Sequence, residues 1–123
     1  MLPMKMLLKH MKFIQIFFLL LSFSVFSQST FEKAEKLYAQ KKYNEAEKLF
    51  SEHLKSQPNH TKTIEYLGDI AGHQKDWDAA IANYKKLKVS YPKNANYWYK
   101  YGGALGMKAK ESNKFKALGM IDE

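Results

Sequence analysis

The chain is 123 residues long, with 46% hydrophobic and 26% charged residues, so it makes one domain at most and is not wholesale disordered. It has no Cys, which excludes disulfides, thiol redox chemistry, thiolate metal sites and a lipidated N-terminal Cys. The formal net charge is +8, but every basic residue is Lys; base readout and bidentate phosphate clamps favour Arg, so the charge does not point to nucleic acid.

Residues 1–12 carry Lys5, Lys9 and Lys12 and no acid, and residues 13–26, FIQIFFLLLSFSVF, form an apolar run followed by SQST. A basic start, a short apolar core and a small residue at the boundary predict a signal-peptide helix over residues 1–27. Cleavage is expected after Ser27, with Val25 and Ser27 in the two small-residue positions. The run is interrupted by Gln15, Ser22 and Ser24. It is short for a spanning helix, which needs about 20 apolar residues. Membrane contact is therefore expected only if this segment stays uncleaved.

In YNEAEKLFSEHL, Tyr43, Ala46, Phe50 and Leu54 fall on one helical stripe. Asp76 stands where it can cap the next such helix, in which Trp77, Ala80, Ile81, Tyr84 and Leu87 form the stripe. Pro58 and Pro92 follow the two stripes and stop them, which makes SQPNH and SYPKN turns. Offset by 34 residues, Ala34 falls on Gly68, Leu37 on Ala71, Tyr43 on Trp77, Ala46 on Ala80, Phe50 on Tyr84 and Pro58 on Pro92. A fixed period of this size signals stacked units. The small residues have a mechanical reason: at Ala34, Gly68 and Gly102 the first helix of a pair meets the second closely, and Ala46 and Ala80 return the contact. A large side chain there would cost about 1–3 kcal/mol.

This pattern resembles the tetratricopeptide repeat, a helix–turn–helix unit. The match is strongest over residues 61–94, where Ile64, Leu67, Gly68, Trp77, Ala80, Tyr84, Leu87 and Pro92 sit at pattern positions and Ala71 replaces the usual Tyr. A first unit, 28–60, departs at Thr30, Lys33 and His53. A partial third, 95–123, matches at Trp98, Tyr101, Gly102 and Leu105 and fails after Lys110, since Lys114 falls where Ala belongs. The resemblance implies an all-α solenoid of stacked antiparallel helix pairs whose first helices line a concave groove for a protein or peptide partner. By that alignment Glu35, Tyr38, Glu65, Tyr66, Asp69, His73, Tyr99 and Lys100 face the groove, with Tyr66 and Tyr99 as anchors. Glu35, Glu65 and Asp69 would make it mildly acidic, suited to a basic or apolar peptide. The basic clamp with which some relatives grip acidic tails is missing, because Glu65, Asp69 and Gly103 stand in its place.

No catalytic constellation emerges. His10 lies in the signal segment, His53 in a repeat helix as a packed or half-exposed ring, and His60 in a turn; no two His are spaced i, i+4. Asp69 and His73 have that spacing and are expected to be an exposed pair. No Ser sits in a nucleophile elbow. YGGALGMKAK is not a phosphate loop, because Met107 follows Gly106. Gly103 and Gly106 cost roughly 1 kcal/mol each against Ala in a helix; packing on a following helix is the reading that accounts for them. Phe115, Leu118 and Ile121 keep helical spacing with no polar capping helix after them. Either the chain is a fragment of a longer protein or it self-associates at its C-terminal end, and the first is preferred.

The sequence thus reads as an exported protein, periplasmic or secreted, that acts as a non-catalytic interaction scaffold. No cofactor, metal or nucleic acid is expected. The alternative is an accessory domain of a longer protein or enzyme whose C-terminal part is missing here.

Overall fold

Every regular element among the described residues is a helix. The computed structural model describes residues 3–25 and 28–119, with side chains at 3–15 and 28–119. Ser27, where cleavage is expected, and Ile121 lie outside them. Helix α1 spans Met4–Val25, with Met4, Leu8 and Phe13 exposed. No described helix is long and apolar enough to cross a membrane.

Five helices follow: α2 (Thr30–Ala39), α3 (Tyr43–Ser56), α4 (Thr61–His73), α5 (Trp77–Ser90) and α6 (Ala95–Ala117). Their starts are written in side-chain chemistry. Ser29 accepts from the Glu32 amide at 3.1 Å, and Asp76 accepts from the Ala79 amide at 3.1 Å, as its position predicts. His60 is more than a turn residue, because its Nδ1 caps α4 by accepting from the Thr63 amide. The α2–α3 and α4–α5 hairpins share one turn. Lys41 and Lys75, 34 residues apart, both adopt left-handed backbone, with φ 60° and 59°. The amides of Lys42 and Asp76 then donate to the carbonyls of Leu37 and Ala71 at 2.9 and 2.8 Å. This double reversal closes a helix C-terminus without leaving its last carbonyls bare.

The crossings inside both hairpins are tight. Ala34, Ala46 and Ala80 are fully buried. A Cβ added at Gly68 would lie 2.5 Å from Cε1 of Tyr84, so only Gly fits beneath that ring. Phe50 packs against Ala34 and Ala46 in the first hairpin and stacks on Tyr66 of the second at 4.6 Å. Phe31, at a non-pattern position, supplies the bulk that Thr30 and Lys33 lack; its ring meets Phe50, His53, His60 and Tyr66.

Each leading helix has two working faces. On α4, Thr63 and Ile70 are fully buried, and Ile70 joins the core of the preceding hairpin. Ile64 and Ala71 are buried with Ala80, Tyr84 and Leu87 of α5. On α6 the residues matching the first face, Tyr97 and Ala104, are likewise buried against the hairpin before it. The residues matching the second face are not: Trp98 and Leu105 are 49% and 42% exposed. This corrects the sequence expectation in which Trp98, Gly102 and Leu105 pack inside a third unit. An added Cβ at Gly102 would meet nothing within 4 Å, and the same holds at Gly103 and Gly106, where packing on a following helix was expected. The cause is α6 itself, which runs straight through the place of a turn. Its residue 109 matches Lys75, and Lys114 matches the fully buried Ala46 and Ala80. A lysine does not fit such a crossing, and among the described residues no second helix folds back on α6. At the other end of the stack the equivalents of Thr63 and Ile70 are Ser29 and Lys36, both exposed and polar.

Candidate functional site

The leading helices α2, α4 and α6 lie side by side, and their polar contacts repeat with the stack. Tyr66 Oη donates to Glu35 at 3.1 Å, and 34 residues later Lys100 Nζ donates to Asp69 at 2.7 and 2.8 Å. Both link a residue to one 31 positions on; Asn96 and Glu65, at 3.4 Å, make a third such link. A second series joins each trailing helix to the end of the next leading helix. Gln74 Nε2 donates to Asn44 at 2.8 Å, and Lys108 pairs with Asp78 in the matching place. These ladders hold α6 in register as far as Lys108.

Six of the eight groove candidates are woven into this surface. Glu65 and Asp69 both grip Lys100, at 2.9 and 2.7 Å, with side chains about one-fifth exposed. Lys100 offsets one of the two α4 carboxylates it touches, and Glu35 bonds only the neutral Tyr66 phenol, so the acidity expected of the groove is reduced and not removed. Asp69 also accepts from Tyr84 Oη at 2.6 Å. Burial and then this hydrogen bond hold the Tyr84 phenol above the ordinary tyrosine range. Burial alone would pull Lys100 down; its bonds to Asp69 and Glu65 outweigh that and raise it. Tyr66 is pushed up to about 12 by burial and by its bond to Glu35. Tyr38 is raised by burial and then by the charge of Asp69; its ring meets Tyr66 edge-on at 4.9 Å.

The remaining two stand apart. His73 is exposed and stacks on Tyr43 at 4.4 Å, so it does not form the expected pair with Asp69. Tyr99 is 80% exposed and projects freely, whereas Tyr66 is largely spent on Phe50 and Glu35. Lys62, Glu65, Tyr66 and Asp69 line a shallow recess of about 70 Å³. Lys62 and Asn96 carry no pattern signal, and Tyr84 reads from its spacing only as a packing residue; the 31-residue offset that joins Glu35 to Tyr66 is the signal for such cross-links. No group of three or more His, Cys, Asp or Glu is placed to hold a metal ion among the described residues. The site offers aromatic faces, one recess and a polar ladder in which Glu35, Glu65 and Asp69 meet the single ammonium of Lys100.

The tetratricopeptide repeat pattern matches residues 31–95, just over half of the chain. The chain belongs to the tetratricopeptide repeat family. Tetratricopeptide repeats generally mediate contact between proteins, and the family is typically non-catalytic. No curated protein and no solved structure matches the chain.

Proposed function

We propose that this tetratricopeptide repeat protein is a non-catalytic scaffold that holds a segment of a partner protein along the face formed by α2, α4 and α6. The observation that carries the proposal is the preset ladder from Glu35 and Tyr66 to Asp69 and Lys100. It fixes the leading helices before any partner arrives, so little conformational freedom remains to be lost on binding. The face keeps only a weak negative charge, and its exposed aromatic rings suit an apolar or aromatic segment, gripped by Tyr99 and Tyr38 with Lys62 at the recess. We place the protein outside the cytoplasm, on the strength of the basic and apolar N-terminal segment.

The test is capture from an envelope fraction by the chain lacking residues 1–27. Tyr99→Ala and Lys62→Glu alter exposed groove positions, and Lys48→Glu alters an exposed position on α3. The groove changes should release a partner that Lys48→Glu retains. A partner held equally by all three would refute the groove. N-terminal sequencing of the exported protein checks the location, with Gln28 expected as the first residue.

A further inference from the structure

From residue 79 to residue 110 the sequence holds seven lysines and no acid, whereas residues 28–78 hold eight lysines and nine acids. Packing accounts for three of the seven. Lys100 and Lys108 have carboxylate partners, and Lys88 lies 4.3 Å from the ring centres of both Trp98 and Tyr101. Lys85 and Lys86 are exposed and have no ion pair among the described residues.

Those two lysines stand on the rim of a cavity of about 610 Å³. It opens between the last two turns of α5 and the segment from Pro58 to Ile64. Ile64 and Leu87, both buried, form its floor, and Val89, 66% exposed, forms part of its wall. Tyr91 Oη and Thr61 Oγ1 close one side at 3.0 Å. No acidic residue lines the cavity, and it shares no lining residue with the recess in the groove.

We propose that this cavity is a second docking site, separate from the groove, for an acidic peptide segment that inserts one large apolar side chain. Charge complementarity selects the segment: carboxylates on either side of the inserted residue meet Lys85 and Lys86, with no acid of the lining to repel them. The apolar floor selects the inserted side chain. A peptide fits better than a nucleic acid. The chain has no Arg for bidentate phosphate clamps, and Tyr91, the one aromatic ring of the lining, is tied to Thr61 beside an aliphatic floor rather than set in a row of stacking faces. The proposal stands whether or not the groove is occupied.

The probe is a fluorescein-labelled twelve-residue peptide of alternating Asp and Glu with one central Phe, followed by anisotropy at low ionic strength. Saturable binding is expected, and Lys85→Glu with Lys86→Glu should weaken it by about tenfold or more. Replacing the central Phe of the peptide by Ala should weaken it by a similar factor and leaves the fold of the protein untouched. Tyr99→Ala in the groove should leave affinity unchanged. The proposal fails if there is no saturable binding, or if the lysine reversals or the Phe replacement leave affinity as it was. It also fails if Tyr99→Ala abolishes binding, or if a twelve-nucleotide poly(U) displaces the peptide at lower concentration than unlabelled peptide does.

Discussion

Helices α4 and α6 are built to one pattern and live in different surroundings. Each buries its first face against the hairpin before it: Ile70 on α4, Tyr97 and Ala104 on α6. Of these two, among the described residues, α4 alone has a trailing helix on its second face, so Ile64 and Ala71 are buried while Trp98 and Leu105 are exposed. The same contrast separates the glycines. Gly68 lies under the Tyr84 ring, and Gly102 faces open space. A pattern residue therefore has two possible meanings, and the neighbouring helix decides between them.

The sharpest way to break this comparison is at the first face. Ile70→Ala should cost about 2–5 kcal/mol, because it empties a fully buried site at the junction of the hairpins. In a domain of this size that lowers the melting temperature by roughly 10 °C or more. A melt close to that of the parent chain would mean that the two hairpins do not share a core.

The paired glycines give a smaller effect of opposite sign. Gly68→Ala should cost about 1–3 kcal/mol through overlap with Tyr84. Gly102→Ala should stabilise by up to about 1 kcal/mol, since the helix gains propensity and nothing is touched. Equal shifts in two denaturant titrations would show that α6 has a partner on that side.

The smallest effect sharpens the contrast between the ladder and the rest of the surface. Tyr84 and Lys100 keep their protons to higher pH when folded than when unfolded, so the stability they add is whole below the ordinary tyrosine and lysine ranges. It is lost as pH climbs through about 10 and above. The melting temperature should fall over that window, and Tyr84→Phe should flatten the fall while costing about 1 kcal/mol at neutral pH. An unchanged slope in Tyr84→Phe would remove this tyrosine from the linkage.

Much of the stack was legible because its causes are local or periodic. The cap at Asp76, the stops before Pro58 and Pro92, and the small residues at Ala46 and Ala80 follow from residue type and spacing. The exposure of Trp98 was not legible, because periodicity names a face without saying whether another helix covers it. Lys114 carried that information, since a lysine in a fully buried crossing forbids the return helix. The turns at Lys41 and Lys75 escaped notice because lysine is not a residue one expects at positive φ. In the groove, residue types suggested acidity. The alignment already placed Lys100 in the groove, but that its one ammonium bonds both Glu65 and Asp69, and so offsets part of their charge, follows only from the stacking geometry.

The polar outer side of α2 gives the stack a sense of direction. Were the open side of α6 in one molecule to seek the start of another, it would meet Ser29 and Lys36 and would have to strip water from a charge with nothing to replace it. Head-to-tail stacking of α6 on the α2 end is thereby disfavoured.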